Sequence, residues 1–132
     1  MTLIETPLRR VHGLIVVKAT VAGPSGELGL ILALDTGSTE TVINPWVVDE
    51  LGYSPRDGEQ FTRVRSAIGD EQGYTLRVAR FATLGFSPQR FRVHVFDLAE
   101  GYGIDGLVGL SFLDHLNYEI RSVENVFRAA LV

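Results

Sequence analysis

The sequence predicts a mainly β chain with two short helices, and three observations lead there. Apolar, β-branched runs of strand length, led by Leu14 to Val21 and Glu27 to Leu34, recur between clusters of turn residues. Arg90-Phe91-Arg92-Val93-His94-Val95-Phe96 alternates polar and apolar residues with period 2, as a half-buried strand does. Helix signals are confined to two brief stretches, Asn44 to Gly52 and Ser111 to Leu116.

In chain order, Leu14 to Val21 is followed by the turn residues Gly23-Pro24-Ser25-Gly26, so Glu27 to Leu34 is read as the return strand of a hairpin. That strand runs directly into Asp35-Thr36-Gly37-Ser38, which places a carboxylate where a buried strand opens into a glycine-containing loop. Thr41-Val42-Ile43 reads as a short strand. The next stretch predicts a helix with Asn44 as N-cap, Pro45 as first helical residue and Gly52 as left-handed stop. Phe61 to Ile68 and Tyr74 to Phe86 read as two strands around a polar tip, Gly69-Asp70-Glu71-Gln72-Gly73. After the alternating strand come Ile104-Asp105-Gly106-Leu107-Val108-Gly109, the second helix, and closing strands near Tyr118 to Arg121 and Val126 to Leu131. The passages around Asp35 and Asp105 resemble each other, as two halves of one domain would after an internal duplication.

A length of 132 residues, 45% hydrophobic and 21% charged, fits one domain over residues 1–132 with a single core. There is no cysteine, which excludes a disulfide framework, a thiolate zinc site and a cysteine nucleophile. No apolar run reaches signal-peptide length at the start or transmembrane length later, so the expectation is a cytoplasmic chain without a membrane segment. That the chain is one domain of a longer or membrane-anchored protein stays open. A net charge of -4, with aromatics not interleaved in a basic patch, argues against a nucleic-acid partner.

Leu34-Asp35-Thr36-Gly37-Ser38, a helix ending Glu50-Leu51-Gly52, a glycine-tipped hairpin and the late Asp105-Gly106-Leu107-Val108-Gly109-Leu110-Ser111-Phe112-Leu113 together resemble the retropepsin-like aspartic proteases. The likeness covers Leu14 to Leu131 and is closest to the cellular and bacterial members, in which the late glycine leads into Leu-x-x-Leu. Viral members typically carry an arginine after that glycine, tied to an acid just beyond Asp-Thr-Gly; here Leu110 takes its place. The resemblance implies a closed retropepsin-like β-barrel, a homodimer, and hydrolysis of peptide or protein substrates without metal or other cofactor.

Amide hydrolysis of this kind needs one group to take a proton from water and another to give one to the substrate carbonyl. Two carboxyls sharing a proton do both. At about 3 Å and an effective dielectric of about 20 they repel by roughly 5 kcal/mol, or about 4 pK units, so both do not ionise together near neutrality. Asp35 is the candidate catalytic acid, and only one Asp-Thr-Gly occurs per chain. Gly37 lets the backbone approach the carboxylate and donate to it. By resemblance, the Thr36 hydroxyl bonds across the dimer axis and Ser38 bonds the outer oxygen of Asp35. Leu107, Val108 and Gly109 are expected to pack beside the active-site loop, and Ile68 and Gly69 to cover substrate as flap-tip residues.

Competing readings are weaker. Asp105 lacks a Thr-Gly context and is read as a loop residue. Gly101 to Gly106 matches a dinucleotide fingerprint, but the helix after it is too short and too little chain remains for βαβ units. His12, His94 and His115 lack paired metal-ligand spacing and take ordinary structural or surface roles, while Ser38 has no histidine placed to activate it. Trp46 is read as a core or interface anchor, and the arginines from Arg63 to Arg92 as a solvated strand face. The rival function is a catalytically quiet dimerisation or peptide-binding module on the same fold.

Overall fold

The computed structural model describes residues 2–66, 69–98 and 103–131. Strands β1 (Leu3–Pro7) and β2 (Arg9–Val11) lead into β3 (Leu14–Gly23), which turns back as β4 (Gly26–Leu34). Then come β5 (Val42–Ile43), helix α1 (Pro45–Glu50), a 3-10 turn at Pro55–Asp57, β6 (Gln60–Ser66), β7 (Gly69–Thr83) and β8 (Gln89–Val95). The described order ends with β9 (Gly106–Val108), α2 (Leu110–Leu113), β10 (Leu116–Arg121) and β11 (Val126–Leu131).

β3 closes the sheet on itself, because it pairs antiparallel with both β4 and β7. The ring runs β3, β4, β9, β5, β8, β7 and back to β3, a closed barrel of six strands that removes the open edges of those strands. β2 extends the ring from β3 and β6 from β7, while β1, β11 and β10 form a separate antiparallel sheet. The inward positions are those the sequence pattern marks: Val17, Ala19 and Val21 of β3, Leu30 and Leu32 of β4, and Phe91, Val93 and Val95 of β8 are buried. Phe112 of α2 fills the core, with ring centroids 5.5 Å from Phe81, 5.6 Å from Phe91 and 5.4 Å from Phe86. Burial of each such ring contributes roughly 1.5–3 kcal/mol.

Several expectations need correction. The reversal between β6 and β7 comes earlier than the predicted polar tip: Ser66 pairs with Gly69, and Gly69 to Gly73 form the start of a continuous 15-residue strand. Cross-strand hydrogen bonding outweighs the turn preference of those residues. Asn44 stands at the N-cap of α1 but its side chain does not cap the helix. Its Oδ1 instead accepts the Leu98 N–H at 3.0 Å and its amide donates to the Ile104 carbonyl at 3.4 Å. Gly52 does end the helix, at φ +91. Trp46 is 48% exposed, so it is no core residue. β1, β2 and β9 were not expected as strands, since runs of three to five residues carry too little periodicity to reveal themselves.

Candidate active site

The site is built where two parallel strands end side by side. β4 and β9 pair in parallel at Leu32↔Gly106, Ala33↔Leu107 and Leu34↔Val108, and the pairing continues as the Asp35 N–H donates to the Val108 carbonyl at 2.9 Å. This places the Asp35 side chain half-buried just beyond the barrel strand. The Gly37 N–H then donates to Asp35 Oδ1 at 2.9 Å, and the Ser38 N–H to the Asp35 carbonyl at 3.2 Å, so the loop folds back on its own acid. Charge-assisted donation of this kind fixes the carboxylate plane.

The loop is clamped from behind by the start of α2. Leu110 N–H donates to the Ser38 carbonyl at 2.8 Å and Ser111 N–H to the Thr39 carbonyl at 3.0 Å. Gly109 lies so close that a Cβ there would overlap the Glu40 carbonyl oxygen and sit 2.7 Å from that of Ser38. Sequence reasoning missed Thr41, which is fully buried. Its hydroxyl oxygen accepts the Gly109 N–H at 3.2 Å and the Ser111 hydroxyl at 2.9 Å, while its own N–H donates to Ser111 Oγ at 3.1 Å. The available signal was a hydroxyl residue inside an otherwise apolar short strand.

The predicted site residues therefore fall unevenly. Asp35, Thr36, Gly37, Ser38, Leu107, Val108 and Gly109 come together, with Val108 and Gly109 buried and Thr36 and Gly37 exposed. Ser38 departs from expectation, because its hydroxyl donates to the Glu40 carbonyl at 2.8 Å and not to the Asp35 carboxylate. Gly69 opens β7 in the β6–β7 hairpin, and Ile68 lies outside the described residues. Asp105 is occupied elsewhere, its carboxylate accepting the Ile31 N–H at 2.8 Å. His12, His94 and His115 sit on separate elements: His94 on β8, His12 in the turn after β2 and His115 just past α2.

The aspartyl protease family model matches residues 17–112, a stretch that contains the whole of this loop and its clamp. The chain belongs to the aspartyl protease family. Among solved structures, this aspartyl protease resembles a retropepsin-like aspartic protease from Rickettsia conorii, with a TM-score of 0.66 and 16% identity, covering 97% of this chain and 90% of that one. It also resembles an inhibitor-bound EIAV protease, with a TM-score of 0.60 and 18% identity over 80% of this chain and 90% of that one. The aspartic proteinase of Irpex lacteus matches with a TM-score of 0.60 and 15% identity over 100% of this chain but 47% of its own. No curated protein sequence matches it. These likenesses establish the closed retropepsin-like barrel as the fold of this aspartyl protease. Among its described residues, no helix is long and apolar enough to cross a membrane.

Proposed function

We propose that the chain is an aspartic endopeptidase that works as a homodimer, in which Asp35 of each copy supplies one carboxyl of a dyad. One carboxyl holds the shared proton and gives it to the substrate carbonyl, while the other takes a proton from water as that water attacks the peptide carbon. The observation that carries the reading is the Asp35 carboxylate, presented at the end of β4 and oriented by the Gly37 N–H at 2.9 Å. The exposed Thr36 is available for bonding across the two-fold axis, and the β6–β7 hairpin, with Ile68 and Gly69, for covering a bound peptide. Leu107, Val108 and Gly109 support the loop. That the chain spans 47% of the Irpex lacteus proteinase supports a site completed by a second copy. Residues 1–132 act as one domain on this reading.

The test is Asp35→Asn, which keeps the shape of the side chain and removes the base. Purified variant and wild type are compared on a mixed peptide library, with dimer mass followed by light scattering. Loss of all cleavage from an intact dimer is the expected result. Wild-type turnover by the variant would sink the assignment, and absence of cleavage by wild type would favour the quiet binding module.

A further inference from the structure

Resting on the peptidase reading, we propose that His94 is a positioning residue for the catalytic loop, acting through its side-chain contact with Glu40. Glu40 lies in the segment that links Asp35 to β5, and its carbonyl already receives the Ser38 hydroxyl at 2.8 Å. Its carboxylate lies 3.2 Å from His94 Nε2, with the two side chains 37% and 16% exposed. The main-chain N–H of His94 donates to the Thr41 carbonyl at 2.9 Å. One residue of β8 thus grips the loop twice, by backbone at Thr41 and by side chain at Glu40. The clamp from α2 holds the other side of the same segment, at Ser38 and Thr39.

The surroundings leave Glu40 as the acid that answers His94. On β8 itself, Arg92 shares the outward face. From β7, Thr75 stands directly opposite, and Arg77 beside it is occupied by Glu59 at 2.8 Å and by the Arg90 carbonyl at 3.1 Å. From β5, the neighbour is the buried apolar Val42.

The test compares wild type with His94→Gln, Glu40→Gln, the double variant and the charge-reversed pair Glu40→Lys/His94→Glu. Two readouts are used: kcat and KM determined separately, and amide hydrogen exchange of residues 35–41. His94→Gln is expected to lower kcat about 3- to 5-fold with KM unchanged. Glu40→Gln, a change on the more exposed side of the pair, should match it, the double variant should add nothing, and the reversed pair should recover most of the rate. Loop amides should exchange faster in both single variants. Additive effects, or a His94→Gln protein with unaltered kcat and exchange, overturn the proposal. Should wild type cleave no peptide, the peptidase reading falls and the exchange measurement alone decides whether the brace exists.

Discussion

Asp105 and Ile31 hold each other by two hydrogen bonds: the Ile31 N–H donates to the Asp105 carboxylate at 2.8 Å, and the Asp105 N–H donates to the Ile31 carbonyl at 2.7 Å. The two aspartates of the similar sequence passages are thus put to different uses. Asp105 fastens β9 to β4, and Asp35 is left facing outward. Asp105→Ala should cost about 1–3 kcal/mol of stability, because a main-chain donor loses its charged acceptor, whereas Asp35→Ala should change stability little. Urea denaturation of both variants checks this, and a larger loss from Asp35→Ala would contradict the division of roles.

Gly109→Ala should be among the most damaging small changes in the protein. The added methyl meets the Glu40 and Ser38 carbonyls, which are backbone and cannot swing aside. Overpacking of this kind costs about 1–3 kcal/mol, and relief by moving the Asp35 loop would also remove activity. Thermal unfolding and peptide cleavage measured together should both fall; a variant that keeps wild-type stability and rate would show the contact to be slack.

Tyr74 carries a pH signature. Burial, followed by the nearby Asp49 and Asp57 carboxylates, raises its phenol above the ordinary 10.0. The neutral phenol is therefore favoured in the folded state. Its contribution is fully present below about pH 10 and is lost as pH climbs through the raised folded value, because the unfolded chain releases the proton first. Wild type should lose urea resistance as pH rises above about 10 more steeply than Tyr74→Phe. Equal slopes would place no such burden on Tyr74.

Specific activity should depend on protein concentration. On the proposed dimeric reading, one Asp-Thr-Gly per chain leaves a monomer with a base but no acid. Dilution below the dimer dissociation constant should reduce rate faster than linearly, and excess Asp35→Asn subunits should poison wild type by exchange. Full activity from a species shown by light scattering to be a monomer would refute the shared dyad.

The Asp35 loop and its approach were legible because their signals are local. The β3–β4 hairpin announces itself by apolar strands around Pro24-Ser25, and α1 by Pro45 and Gly52. β9 was not legible, since three residues become a strand only through the partners β4 and β5 that flank them. The polar run after Gly69 looked like a tip because hydrogen bonding to β6 cannot be seen from composition. Thr41, Glu40 and His94 show the same limit. Each residue type was visible, but the partner that fixes its orientation comes from another element.

The insertion of β9 between β4 and β5 also has a consequence in time. A ribosome delivers the β3–β4 hairpin and Asp35 early, yet the Ile31 amide finds its carboxylate 74 residues later, and the Val108 carbonyl that receives the Asp35 N–H comes later still. Until that stretch emerges, the barrel has a gap where its middle strand belongs, and closing it requires contacts of long sequence separation. A half-made chain therefore holds Asp35 without the strand that anchors it. The loop is seated only once the last third of the polypeptide, which supplies β9 and α2, has been made.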